Sequence, residues 1–128
     1  MIKINRHSIF LKIYFFITRY LESLFFLLLR YRLIKGKEDK KRFLERRGIT
    51  SLSRPLGYLI WFNAASVGEA LSILNLIENL GKNKKEIKFL ITTTTISSSL
   101  ILTKMMPRNC VHQFSPIDTF SATKNFLD

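Results

Sequence analysis

A carboxylate in the first turn of a helix, three residues after a serine, can do two kinds of chemistry. In Trp61-Phe62-Asn63-Ala64-Ala65-Ser66-Val67-Gly68-Glu69-Ala70 an apolar, aromatic run passes through a glycine-containing turn into a helical pattern. Ser66 and Glu69 have the S-x-x-E spacing of a capping box, in which the serine accepts from one free helix N–H and the glutamate reaches back to another. The same place favours an ionised carboxylate, because the positive end of the helix dipole lies there. An ionised carboxylate can also take a proton as a general base. Both roles stay open until the direction of the side chain is known.

Other reactive groups are few. Cys110 is the only cysteine, so no intrachain disulfide can form, which is compatible with a reducing compartment. It lies in an apolar run and reads as a small core residue. His7 and His112 are far apart and have no Cys or carboxylate cluster at ligand spacing. No metal site and no cofactor are expected.

The elements that would position Glu69 follow from the pattern on either side. Pro55 and Gly57 precede a short apolar strand over 58–63, whose composition fits burial on both faces. A helix over 67–80 follows, with apolar positions Leu71, Leu74, Leu76, Ile77 and Leu80. A second strand over 87–93 leads through Thr94 and Thr95 into a helix over 97–106, which Pro107 stops. A third strand over 110–114 ends at Ser115-Pro116, and Asp118 or Thr119 can cap a last helix. Alternation of this kind implies a parallel sheet with right-handed crossovers, here half of a doubly wound α/β fold. Glu69 would then stand at the carboxyl end of a parallel strand, where ligands bind in open sheets. Three strands make an incomplete sheet, so the chain is expected to be a fragment or the product of an interrupted gene.

The first segment has another character. Residues 1–54 hold 14 Lys/Arg against 4 Asp/Glu, a net of +10, whereas residues 55–128 carry a net of +2. Between Ile9 and Leu29 the chain is dense in Phe, Leu, Ile and Tyr. At about 100° per residue, Lys12, Arg19, Glu22 and Arg30 share one stripe roughly 80° wide, with Ser8 and Ser23 on or beside it. A narrow polar stripe on a wide apolar surface suits a helix sunk into a membrane interface. A spanning helix is the alternative, at about 2.5–3.5 kcal/mol for each charge near the bilayer centre. Lys3 and Arg6 before the run, and Arg30, Arg32, Lys35 and Lys37 after it, favour a helix lying on the cytoplasmic face. Lys37 to Gly48 reads as a short charged helix capped by Gly48, either a solvated face or a surface for phosphates and lipid headgroups. The expected organisation is a membrane-anchoring helix over 1–34, a basic helix and linker over 35–56, and the α/β part over 57–128. The basic residues sit beside an apolar helix and match no nucleic-acid recognition motif, so nucleic acid is not an expected partner.

From about Lys37 onward the chain resembles the N-terminal portion of the Kdo transferases, which add 3-deoxy-D-manno-octulosonic acid (Kdo) to the lipid A precursor. The resemblance rests on Lys37-Glu38, Arg42, Glu45-Arg46 and Gly48 of the charged helix, on Trp61 to Glu69, on Thr92 to Ser98, and on His112-Gln113-Phe114-Ser115-Pro116-Ile117-Asp118. It covers roughly two-thirds of the chain in collinear order, and Ala65-Ser66-Val67-Gly68-Glu69 is its most specific part. The resemblance implies a GT-B fold, two Rossmann-like domains across a cleft, of which this chain holds part of the acceptor-side domain behind a membrane-associated helix. It implies an inverting, metal-independent transfer of Kdo from CMP-Kdo to lipid IVA at the cytoplasmic face of a bacterial inner membrane, in lipopolysaccharide biosynthesis. Glu69 matches the general base. Ser66 and Gly68 would shape the turn against the acceptor, and Thr93, Thr95 and Ser98 would line the acceptor cleft.

Three departures bear on activity. Asn63 stands where a histidine is usual in this family, Thr94 where glycine is frequent, and nothing in the chain supplies the donor's phosphate site. Catalysis requires both substrates held in line. The chain alone is therefore expected to be inactive, either as a non-enzymatic membrane-bound remnant or as one half of a split enzyme.

Overall fold

The computed structural model describes residues 9–128 apart from Lys85 and the side chain of Asn83. Lys3, Arg6, His7 and Ser8 lie outside the described residues. The centre of the structure is a parallel sheet in the order β1-β2-β3, formed by Leu59–Ala64, Lys88–Thr93 and Cys110–Phe114. Its register sets Leu59 beside Lys88 and Ala64 beside Thr93, then Phe89 beside Cys110 and Thr93 beside Phe114. The strand and helix alternation read from the sequence is present, with ends moved by at most three residues.

Two helices, the first of them amphipathic, cover one face of the sheet. Ile60, Phe62, Ala64, Phe89, Ile91 and Cys110 meet Ala70, Leu74 and Ile77 of α3 (Val67–Asn83) and Leu102 of α4 (Ile96–Met105). Each fully buried Leu, Ile or Phe contributes about 1.5–3 kcal/mol. The inward stripe of α3 is Ala70, Ile73, Leu74 and Ile77, a helical i, i+3, i+4, i+7 set. Leu71, Leu76 and Leu80, expected to face inward, are instead exposed.

The second face differs from expectation. Trp61, on the opposite side of β1 from Ile60 and Phe62, is 49% exposed. Its ring packs against Phe126 of α5 (Phe120–Leu127), with centroids 4.9 Å apart. An eight-residue helix is about 12 Å long, too short to cover three strands. Burial on both faces therefore holds for β2 and fails for β1.

The apolar N-terminal stretch forms two helices, α1 (Ile9–Tyr20) and α2 (Glu22–Ile34), that meet at Leu21. Backbone bonds continue across the junction, from Leu21 N to Ile17 O and from Phe25 N to Leu21 O, both 2.9 Å. The bend has a local cause: Thr18 Oγ1 donates to Tyr14 O at 2.9 Å and to Phe15 O at 3.3 Å, and such back-bonding bends helices. Both helices are tied to the α/β part, through Tyr14 Oη to Asp118 and Ser121 Oγ to Glu22. Among the described residues no helix is long and apolar enough to cross a membrane. Phe10, Phe16, Tyr20, Leu24, Leu27 and Ile34 remain exposed.

The charged helix is shorter than its sequence suggests, a 3-10 turn η1 over Phe43–Arg47. Gly48 ends it in a left-handed conformation, φ 75°, as expected. Here the glycine is needed twice over, since a Cβ would run into Ala122 O and come within 2.8 Å of Phe126 N on α5. Gly48→Ala is expected to destabilise the fold by about 2–4 kcal/mol, from left-handed strain and overpacking. A urea titration with unchanged slope would report it.

Candidate active site

At the carboxyl edge of the sheet, β1 hands the chain to α3 through Ala65 and Ser66. Ser66 is extended, φ −132° and ψ 165°, and its Oγ accepts from Glu69 N at 3.2 Å. Glu69 reaches back, and its Oε2 accepts from Ala65 N at 2.7 Å. The capping box is thus built, one residue earlier on the return side than the usual pairing with the serine's own N–H. It uses one carboxylate oxygen. Glu69 is exposed, and its Oε1 makes no hydrogen bond among the described residues. Capping and proton acceptance are therefore compatible in one side chain.

Thr94 links this turn to the next strand, as its Oγ1 donates to Ala65 O at 3.2 Å. Ala65 is held on both sides, its N–H by Glu69 and its carbonyl by Thr94. α3 packs on one side of β1, while α5 meets Trp61 on the other. Ligands of open α/β sheets bind outside the carboxyl ends of the strands.

Beside the turn runs a chain of polar contacts on the α5 face. Trp61 Nε1, which can only donate, gives its proton to Thr92 Oγ1 at 2.9 Å, and Thr92 Oγ1 donates to Asn63 Oδ1 at 2.9 Å. Ser115 Oγ donates to the same Asn63 oxygen at 2.7 Å. Asn63 ties the ends of all three strands together.

On the α4 face a buried network reaches in from η1. Glu45 is 1% exposed and fully satisfied: Oε1 accepts from Arg42 Nε (3.0 Å) and Ser51 Oγ (2.6 Å), Oε2 from Arg42 Nη2 and Phe114 N (2.8 Å each). Arg42 goes on to His112, with Nη2 donating to His112 O at 2.8 Å and Nη1 facing His112 Nδ1 at 3.0 Å. A guanidinium only donates, so Nδ1 accepts and the ring proton sits on Nε2. Nε2 then donates to Thr93 Oγ1 at 2.9 Å. With Arg46 O accepting from Ile117 N at 2.8 Å, η1 satisfies the carboxyl end of β3, which would otherwise be an open edge. Sequence reading missed this network, having taken Lys37 to Gly48 as an outer surface.

Burial, reinforced by Arg42 and opposed by Glu45, pushes His112 down to about 4. Above about 6.5 it is neutral both folded and unfolded. Between 6.5 and 4 the unfolded chain takes up a proton that the native chain refuses, so stability falls as pH falls through that window. The full loss is roughly 3 kcal/mol. Urea titrations from pH 7 to pH 4 should show that slope, and His112→Asn should remove it. Burial pushes the Cys110 thiol up to about 12, in keeping with a core role.

The residues expected to line an acceptor cleft divide into two groups. Ser66, Gly68, Glu69 and Thr95 are exposed at the carboxyl edge, whereas Thr93 and Ser98 are fully buried. Thr93 is held by His112, and Ser98 lies 2.8 Å from Thr95, Oγ to Oγ1. Thr95 also caps α4. No group of three His, Cys, Asp or Glu able to hold a metal ion occurs among the described residues.

Residues 40–128 match the family described as 3-deoxy-D-manno-octulosonic-acid transferase (kdotransferase). A 3-deoxy-D-manno-octulosonic acid transferase of Rickettsia bellii is 40% identical over 118 residues, 92% of this chain and 28% of that protein. A probable mitochondrial 3-deoxy-D-manno-octulosonic acid transferase of Arabidopsis thaliana is 36% identical over 91% of this chain and 26% of its own length. One from Rickettsia felis is 51% identical over 69 residues, 54% of this chain and 15% of that protein. The chain thus spans little more than a quarter of the first two of these curated relatives and less of the third. No solved structure matches it.

Proposed function

Because the chain belongs to the 3-deoxy-D-manno-octulosonic-acid transferase family, we propose that its Glu69 edge is the acceptor-activating part of a metal-independent, inverting Kdo transferase of GT-B architecture. The observation that carries this reading is the divided carboxylate. Glu69 Oε2 is fixed by Ala65 N–H while Oε1 has no partner among the described residues, and the residue is exposed at the carboxyl edge of the sheet. The base is aimed without being spent. Its oxygen takes the proton from a glucosamine hydroxyl of lipid IVA, the hydroxyl oxygen bonds to the anomeric carbon of Kdo, and CMP leaves from the opposite face. Ser66, Gly68 and Thr95 border the acceptor. Thr93 and Ser98 hold the loop from beneath.

The same reading puts the chain at the cytoplasmic face of a bacterial inner membrane, in lipid A assembly. The exposed apolar side chains of α1 and α2 support an interfacial anchor. The matched stretch is 28% of the Rickettsia bellii protein, and transfer needs a second substrate, CMP-Kdo, held in line. Residues 1–128 by themselves are expected to transfer no Kdo. A hybrid in which they replace the matching stretch of the Rickettsia bellii relative is expected to transfer Kdo from CMP-Kdo to lipid IVA in vesicles. A folded, membrane-bound hybrid without transfer would overturn the reading.

A further inference from the structure

The turn that carries Glu69 has little packing to hold its shape. Ala65, Ser66, Gly68 and Glu69 are all exposed, and a Cβ added at Gly68 would meet nothing of the rest of the fold within 4 Å. Its geometry therefore rests on hydrogen bonds. Two of them close the turn on itself, from Glu69 N to Ser66 Oγ and from Ala65 N to Glu69 Oε2. Pairing between β1 and β2 stops at Ala64 and Thr93, so the strand ladder does not extend to the turn. Among the described residues, a single hydrogen bond from outside the β1–α3 segment reaches residues 65–69. It runs from Thr94 Oγ1 to Ala65 O, at 3.2 Å.

Thr94 can serve as a fixed point because its neighbours are held. Thr93 is fully buried; its Oγ1 accepts from His112 Nε2 at 2.9 Å and its carbonyl oxygen from Ser115 N at 2.8 Å. Thr95 Oγ1 accepts from Ser98 N at 3.2 Å and caps α4. The Arg42–Glu45 network thus stands behind Thr93, and the hydroxyl of Thr94 passes that rigidity to the turn. The two bonds on Ala65 act on different peptide planes. Glu69 holds the plane before Ala65 and Thr94 the plane after it, which together fix the two soft torsions of that residue. Those torsions set where Ser66, and with it the first turn of α3, stands against the sheet.

We propose that Thr94 is a positioning residue for Glu69: its hydroxyl, acting through Ala65, sets the direction from which the carboxylate meets the acceptor hydroxyl. The catalytic half of this statement rests on the proposed function, whereas the anchoring half does not. Thr94 touches no reacting atom in this role. Its effect on rate passes entirely through the base.

The test compares Thr94→Val, which exchanges the hydroxyl for a methyl group, with Thr94→Ser, which keeps it. In residues 1–128 in dodecyl maltoside, hydrogen exchange at the Ala65 amide is expected to quicken about tenfold in Thr94→Val, with the amides of Leu74 and Ile77 unchanged. Thr94→Ser should keep the parent rate. In the hybrid transferase, Thr94→Val is expected to lower kcat about tenfold, since a misplacement of about 1 Å can cost about 10²-fold. The KM for CMP-Kdo should not change, and Thr94→Ser should restore kcat. Added to Glu69→Gln, Thr94→Val should lower kcat no further, the non-additivity of residues that act as a unit. An equal loss with and without the Glu69 carboxylate would mean a structural role only and overturn the positioning, as would an active Thr94→Val hybrid with the parent kcat. Unchanged exchange at Ala65 would overturn the anchor itself. A parent hybrid that transfers no Kdo would overturn the transferase reading and with it the catalytic half, while exchange at Ala65 would still decide the anchor.

Discussion

Replacing Arg42 with methionine is expected to cost about 3–5 kcal/mol, the usual loss when one partner of a buried ion pair is removed. The reason lies in Glu45, 1% exposed, whose carboxylate would lose two of its four donors and, among the described residues, its only counter-charge in direct contact. The damage would spread further. His112 would lose the donor that sets its tautomer, and its carbonyl oxygen would lose the donor it accepts from. Adding Glu45→Gln to Arg42→Met should recover part of the loss, since a neutral amide needs no counter-charge and can still accept from Phe114 N. The double-mutant cycle should give a coupling of about 0.5–3 kcal/mol. Denaturation midpoints would show this, and a single-variant loss under about 1 kcal/mol would mean that η1 does not anchor the carboxyl end of β3.

The second large effect is on chemistry. In the hybrid transferase, Glu69→Gln is expected to lower kcat by about 10²–10⁴, the usual contribution of a general base. Stability should change by less than about 1 kcal/mol. Glutamine can still accept from Ala65 N and keep the cap, as Gln serves in capping boxes. This separation distinguishes the two roles open at the sequence level. A carboxylate that only capped the helix would leave kcat unchanged when replaced by glutamine.

The sequence carried the sheet clearly, because β1, β2 and β3 are short apolar runs bounded by Gly, Pro and Thr clusters. Ser66 was legible as a cap and Thr119 as one of two candidates beside Asp118, and both accept a backbone N–H, from Glu69 and Ala122. Gly48 was legible for the same reason, a glycine closing a charged turn. The buried network was not legible. Glu38 and Glu45 sit in a run of alternating charge that reads as a solvated surface, and only the fold brings Arg42 within reach of His112, seventy positions away. An Arg and a Glu three apart just before a capping glycine were the available signal. The bend at Leu21 left no mark on hydrophobic periodicity, since its cause is a single hydroxyl on Thr18. The exposure of Trp61 had no signal either, because composition reports how apolar a strand is and not which helices cover it.

The most direct test of the central claim is the rate of Kdo transfer from CMP-Kdo to lipid IVA by the hybrid with and without Glu69→Gln, both checked for folding. The account predicts that the hybrid transfers Kdo and that Glu69→Gln lowers kcat at least about 100-fold, with the denaturation midpoint and the KM for CMP-Kdo nearly unchanged. An active hybrid whose Glu69→Gln form keeps kcat within about threefold would contradict it. Glu69 would then be the cap of α3 alone, and the base would lie elsewhere in the enzyme.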